Sequence, residues 1–521
     1  MELERSAGVL LHITSLPGKY GTGTMGDEAY EFIDLIHDGG FRYWQILPVG
    51  PVSRSMGWSP YSSASAFAGN ELFISIDSLQ RERWFKSRFP VQQLPESHHC
   101  DFEKTRGITR KAILQSFDEF LINATEEENL EFSSFCQNHN GSWLDDYSLY
   151  MSLSHEFNSF NWLSWERDIA TRNEETLVTL NTKLAERILL TKYGQFIFFR
   201  QWKRMKEYAN SRGIQIIGDI PIYMSMDSAD AWMNAEILDI DMINLKPLHV
   251  AGVPPDYFCE TGQLWGNPVY KWHDGNGQLN EKTYQWWKKR ILHMLEFTDI
   301  IRIDHFRGFD SFWSVEHGEE TAVNGKWEQG PGKPFFDRLK KETGSLPLIA
   351  EDLGMITPEV KELRDSLELP GMKILQFAFD FNSDNEYLPH NVDVRNCIIY
   401  TGTHDNDTVN GWFYDPEFPQ NYRDYIMEYL AMKDWSDFHW RIMREAYATL
   451  ASLVVIPAQD ILGYGREFRM NTPGTVDKNW SWKLTGEALT PELMAKTKRL
   501  AKLFSRLPKE DKAHIDPEGV V

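Results

Sequence analysis

The sequence predicts an α/β protein of the (β/α)8 TIM-barrel class, on three observations. Eight short apolar runs recur along its 521 residues, several of them rich in Ile and Val. Helical patterns lie between many of them. Acidic residues stand at the ends of several runs. Near-continuous apolar runs suit parallel strands buried on both faces, and alternation with helices is the signature of parallel βα units. An open doubly wound sheet is the alternative arrangement; eight strands with intervening helices favour the closed barrel.

The elements follow in order. The first run is "GVLLHITS" (8–15), followed by the amphipathic "GDEAYEFIDLIHDGG" (26–40) and the second run, "YWQILPVG" (43–50). About 160 residues separate the second run from the third, "IQIIGDIPIY" (214–223), far more than a plain βα unit needs. We expect a largely helical insertion over 75–200. A second insertion, 225–298, precedes the fourth run, "IIRIDHFRG" (300–308). It contains "VAGVPPDYFCETGQLWGNPVYKW" (250–272) and the helical "TYQWWKKRILHMLEF" (283–297). The fifth run is "PLIAEDLG" (347–354). Thr357 and Pro358 then make a good helix start for "TPEVKELRDSLEL" (357–369), an N-cap followed by proline at the first helical position. The sixth, seventh and eighth runs are "MKILQFAFD" (372–380), "CIIYTGTHD" (397–405) and "LVVIPAQDILG" (453–463). Both insertions are expected over the C-terminal rim, and residues 1–521 are read as one catalytic unit.

Bulk properties exclude some partners. The formal net charge is -22, from 54 basic and 76 acidic residues. Such a surface repels nucleic acid and anionic membranes but tolerates a neutral ligand such as a sugar. Of the many aromatic rings most must be core, yet stacking platforms are plausible. Cys100, Cys136, Cys259 and Cys397 form no C-x-x-C pair, so neither a zinc site nor a disulfide framework is expected. The N-terminal stretch lacks the form of a signal peptide, and no run reaches transmembrane length.

The strand-end acids carry the chemistry. Side chains alternate along a strand, so Arg302 and Asp304 share one face while Ile301 and Ile303 take the other. Asp219, Asp304, Glu351 and Asp405 end the third, fourth, fifth and seventh runs, and a barrel brings such positions to one mouth. Two facing carboxylates are the equipment for glycosidic bond cleavage. Arg302 would keep Asp304 ionised, as a nucleophile must be. Negative charge such as Asp405 would raise Glu351, as a general acid requires. A lone strand-end Asp is more often a helix cap or an ion-pair partner; the joint occurrence is what matters. His404 beside Asp405 lacks the companions of a metal motif, so no metal and no cofactor are expected.

With these residues in place, the chain resembles the 4-alpha-glucanotransferases of the amylomaltase, or disproportionating-enzyme, family (glycoside hydrolase family 77). The likeness runs over most of the length. It includes "GVLLHITSLPGKYGTGTMG", "SPYSSASAFAGN", "GDIPIYMSMDSADAW", "VAGVPPDYFCETGQLWGNPVY", "IRIDHFRGF", "AEDLG", "GTHDND" and "RMNTPGT". It implies transfer of alpha-1,4-glucan segments to glucose or a maltooligosaccharide by retaining double displacement, in starch, glycogen or maltodextrin metabolism. It further implies that Asp304 is the nucleophile, Glu351 the general acid/base and Asp405 the acid that binds ring hydroxyls of the distorted sugar. Arg302 and His404 match residues holding the nucleophile and that sugar. Tyr61 and Asp219 fall on the donor side, and Ser59, in the same "SPYSS" stretch, is taken as substrate-binding. Asp256, Tyr257 and Phe258 match a loop over the acceptor side, with Gln263, Trp265 and Asn267 on the same flank, and Asn471 lies at the rim.

One departure is Trp58, where many members carry Asp; Trp58 is then a candidate sugar-stacking ring. The chain also leaves no room after "RMNTPGT" for the C-terminal β-domain of alpha-amylases. An alpha-1,4-glucan hydrolase of that superfamily is the competing enzyme, and a catalytically dead glucan-binding barrel the competing non-enzyme. A monomer and a homodimer both fit, as do a bacterial cytoplasm and a plastid stroma.

Overall fold

The computed structural model describes residues 3–255, 260–486 and 488–508. Eight parallel strands form one sheet. In chain order they are β1 (Ser6–Leu10), β2 (Tyr43–Gln45), β3 (Gln215–Ile220), β4 (Ile300–Ile303), β5 (Leu348–Ala350), β6 (Gly371–Ile374), β7 (Cys397–Tyr400) and β8 (Leu453–Pro457). Their lateral order is β5-β4-β3-β2-β1-β8-β7-β6. The sheet curls until its two edges meet. There Ala350 N–H donates to Pro370 O at 3.0 Å, and the Asp352 carboxylate accepts from Met372 N–H at 2.7 Å. The result is a nearly closed (β/α)8 barrel. No further sheet follows β8 among the described residues.

Each of the eight apolar runs overlaps a barrel strand, with β1 and β6 beginning one or two residues ahead of their runs, and each strand is shorter than its run. Residues beyond the strand ends, such as Ile46, Leu47 and Ile222, stay buried where the chain leaves the barrel. The first helix, Asp27–Asp38, buries Ala29, Phe32, Ile33 and Ile36, the spacing of one helical face. Helix Glu281–Phe297 sits between β3 and β4, and Pro358–Ser366, with Thr357 at its N-cap, between β5 and β6.

Between β2 and β3, long helices (Phe102–Asn123, Glu126–His139, Leu144–Glu156 and Ala185–Ser211) pack on one another. Their core is aromatic: the Trp84 indole donates to the Tyr193 hydroxyl at 2.9 Å, among Phe117, Phe120, Phe132 and Phe196. A four-stranded antiparallel sheet stands beside the barrel mouth, built from Lys326–Gln329, Ser311–Glu316, His249–Val253 and Gln263–Pro268 in that order. No helix among the described residues is long and apolar enough to cross a membrane.

Candidate active site

The pairing of β3 with β4 sets Asp219 directly beside Arg302. Ile301 and Ile303 point away from the barrel axis, so Arg302 is directed inward. Its Nη1 donates to both oxygens of Asp219, at 2.8 and 2.7 Å, and to Asp304 Oδ1 at 2.9 Å. Arg302 and Asp219 are buried, and Asp304 is partly open. The Tyr61 hydroxyl donates to Asp219 Oδ2 at 2.7 Å. Burial alone would lower the Arg302 guanidinium; Asp219 and Asp304 outweigh it and hold it well above its usual range. Burial and the Asp219 charge push the Tyr61 phenol far up, so it remains a donor.

Asp304 and Glu351 each stand one residue past a strand, on neighbouring strands. Asp304 N–H donates to Ile220 O and Glu351 N–H to Ile303 O, each at 3.0 Å, which continues the ladder to the rim. His305 then turns into the left-handed region with φ 51, uncommon for a residue with a side chain. That turn aims its backbone N–H at Glu351 Oε2, at 2.7 Å, while Leu353 N–H reaches Oε1 at 3.0 Å. Burial, aided by Asp304 and Asp352 against Arg302 and the His305 N–H, pushes the Glu351 carboxyl up to about 8. The sequence pointed to Asp405 as the charge that raises Glu351. In the structure that role falls to burial and to Asp304 on the adjacent strand, and Asp405 has a partner of its own.

That partner is His404, whose Nε2 lies 3.3 Å from Asp405 Oδ2. Burial opposes the effect, but His404 and the Asn471 amide, which donates at 2.6 Å, bring Asp405 down to about 2. Asp405 pulls His404 up in turn, against burial. About half of the Asp405 side chain remains exposed, so it faces the open mouth. The Tyr61 ring stacks on His404 (centroids 5.1 Å, 17°) and leans on Trp480 at 5.6 Å. One chain of contacts thus runs from Asp304 through Arg302, Asp219 and Tyr61 to His404, Asp405 and Asn471.

The other predicted residues take distinct places. Ser59 Oγ accepts from Tyr61 N–H at 3.2 Å and shapes that loop. Gln263, Trp265 and Asn267 lie on one strand of the antiparallel sheet. The Trp265 indole donates to Gln263 at 3.1 Å, and its ring stands edge-on to His305 at 4.9 Å. Asn267 ties the sheet to the loop after β3 by donating to Met224 O at 2.9 Å. Asp256, Tyr257 and Phe258 lie outside the described residues. Trp58 is stacked on Phe102 of the helical segment (5.2 Å, 19°), so that face of its ring is already used.

Sequence reasoning missed His305, Trp480 and His12. His12 sits just past β1, near His404, with no hydrogen-bond partner for Nδ1 among the described residues. Burial and His404 push it down to about 3, so it is neutral. No group of three or more His, Cys, Asp or Glu side chains suited to a metal ion occurs among the described residues.

A (β/α)8 barrel whose C-terminal mouth gathers ion-paired and protonated carboxylates defines a class of carbohydrate-active enzymes. Comparison narrows the class. The glycoside hydrolase family 77 model, described as 4-alpha-glucanotransferase, matches residues 11–490. The chain is 43% identical over 502 residues to a 4-alpha-glucanotransferase of Clostridium butyricum, covering 95% of this chain and 100% of that one. It is likewise 43% identical over 505 residues to one from Synechocystis, with 96% and 98% covered. The solved amylomaltase of Streptococcus agalactiae in complex with acarbose superposes with a TM-score of 0.89 at 35% identity, covering 97% of this chain and 100% of that one. The chain belongs to the 4-alpha-glucanotransferase family, glycoside hydrolase family 77.

Proposed function

We propose that this chain moves segments of alpha-1,4-glucans onto glucose or a maltooligosaccharide, with Asp304 and Glu351 as its two reacting carboxyl groups. The observation that carries this reading is their contrast. Asp304 is bonded to Arg302, whereas Glu351, one strand away, is pushed up to about 8 and so holds a proton at neutral pH.

Asp304 attacks the anomeric carbon of the donor. Glu351 gives its proton to the glycosidic oxygen, and the reducing-end segment leaves with that proton. The glycosyl unit now sits as an ester on Asp304. The acceptor hydroxyl then loses its proton to Glu351 and attacks the same carbon, which frees Asp304. Two inversions give net retention. Asp405 and His404 bind hydroxyls of the distorted donor sugar, and Tyr61 lines the donor side.

Hydrolysis shares the first half of this sequence. A hydroxyl held in attack geometry acts at an effective molarity of about 10⁵–10⁸ M, which favours a bound acceptor over water. In this proposal the chain acts as one catalytic unit, and the 225–298 segment serves the acceptor.

Maltotriose tests the reading. Transfer yields glucose plus longer oligosaccharides; hydrolysis yields only shorter ones. Asp304→Ala and Glu351→Gln should each lower transfer by at least about 10³-fold, with the thermal midpoint of unfolding retained. Near-normal transfer by either folded variant would refute the roles given to these two residues.

A further inference from the structure

Away from the Asp304–Glu351 pair lies a cavity of about 900 Å³, between the helical segment, the loop after β2 and the loop after β3. That is ample for a small ligand. Four arginines line it, Arg54, Arg106, Arg110 and Arg187, against two acids, Glu71 and Asp227. In a chain of net charge -22, such a local excess of cations needs a reason.

The local sequence makes the cluster costly. Arg106 and Arg110 stand four apart on helix Phe102–Asn123, a spacing at which like charges repel on one face. Arg187 sits in the first turn of helix Ala185–Ser211, the end of a helix that disfavours a cation. Compensation is thin. Arg187 shares Glu156 with Lys183, each at 3.3 Å, and Arg54 reaches Glu103 only at 3.9 Å. No carboxylate pairs with Arg106 or Arg110 among the described residues. Glu71 lies near both, and burial pushes its carboxyl up against their pull. His155, at the end of helix Leu144–Glu156, lines the same cavity as Arg106, Arg110 and Arg187.

The rest of the lining is not that of a bare anion hole. Asn158 and Asn161 offer amides for hydroxyl groups, and Tyr147 and Phe160 offer ring faces. We propose that this cavity binds a sugar bearing a phosphate ester, its phosphate held by Arg106, Arg110 and Arg187 and its hydroxyls by the amide side chains. Guanidinium forks match phosphate oxygens in geometry and charge. The site is separate from the transfer chemistry and does not rest on it.

Calorimetric titration of the full chain with glucose 6-phosphate, a phosphorylated maltodextrin, glucose and inorganic phosphate tests this. One of the two phosphorylated sugars should bind at least about tenfold tighter than glucose or inorganic phosphate. Arg106→Gln with Arg110→Gln should weaken it by about tenfold or more, while maltotriose disproportionation continues. Arg187→Gln serves as an independent second variant. Binding of neither phosphorylated sugar, affinity unchanged in both variants, or inorganic phosphate binding as tightly as the esters would each overturn the proposal.

Discussion

The two flanks of the barrel mouth are built on opposite principles. On the Tyr61 side the polar groups are joined in one bonded series. Tyr61 is bonded to Asp219, Asp219 to Arg302, Arg302 to Asp304, and the Tyr61 ring lies against His404 and Trp480. On the Trp265 side the tryptophan is 37% exposed and is held by Gln263, two residues away, and by the edge of His305. A largely buried, bonded series fixes one geometry, because moving Arg302 or Asp219 strands a charge in low dielectric. An exposed ring on a projecting sheet can meet ligands of different length. In the proposed reaction the first flank grips the sugar that becomes covalent, and the second receives acceptors that come and go.

Arg302→Gln should break the contrast most severely. It leaves Asp219 and Asp304 without their cation, and breaking a buried pair this way costs about 3–5 kcal/mol. The thermal midpoint should fall markedly, and transfer should fall by about 10³-fold or more in whatever protein remains folded. A variant with normal stability would show that Asp219 and Arg302 are not the keystone of this flank.

Tyr61→Phe is the milder cut at the same network. The ring and its stacking on His404 are kept, while Asp219 loses one donor. An unsatisfied buried acceptor costs about 1–3 kcal/mol. Stability should drop by that amount in denaturant unfolding, and transfer by no more than about 10²-fold. A larger loss with unchanged stability would mean that the hydroxyl itself touches substrate.

How much of each flank could be read from the chain follows from the same contrast. Strand alternation alone places Arg302 and Asp304 on one face, and the apolar runs place every barrel strand. His305 is invisible to such reasoning, since its role rests on a left-handed backbone that no periodicity encodes. Asp352 follows Glu351 with no pattern to single it out, yet its carboxylate fastens the β5–β6 seam and raises Glu351. The antiparallel sheet was not foreseen, because its central pairing joins segments some 60 residues apart. The aromatic, strand-prone "SFWSVE" was its best signal. Trp265, Gln263 and Asn267 were legible only through family resemblance.

The pH profile sharpens the contrast within the mouth. Glu351 ionises at about 8, so it is protonated at neutral pH and loses its proton as pH rises through that value. The kcat/KM for transfer should therefore decline above pH 8, by about tenfold per unit where the limb is fully developed. Asp352→Asn removes a charge that raises Glu351 and keeps an oxygen for Met372. Its alkaline limb should move to lower pH; an unmoved limb would reassign the titration to another group.

Trp265→Ala should have the smallest effect and the most selective one. The side chain is exposed and, among the described residues, hydrogen-bonds within its own strand, so unfolding stability should change by less than about 1 kcal/mol. Formation of the glycosyl-enzyme, followed as the burst of leaving group from an activated maltosyl donor, should be unchanged, since among the described residues Trp265 has no bond to the Tyr61 network. What should change is the fate of that intermediate. With one face of the acceptor side removed, acceptor hydroxyls are held less well and water competes better. Glucose released by hydrolysis should rise a few-fold relative to chain transfer, and the KM for acceptor should rise with it. Trp265→Phe, which keeps a flat ring, should recover most of the ratio. If the burst instead slows as much as transfer does, Trp265 acts through His305, whose backbone N–H is bonded to Glu351. The two flanks would then be one mechanical unit, and the division drawn between a rigid and an adaptable side would fail.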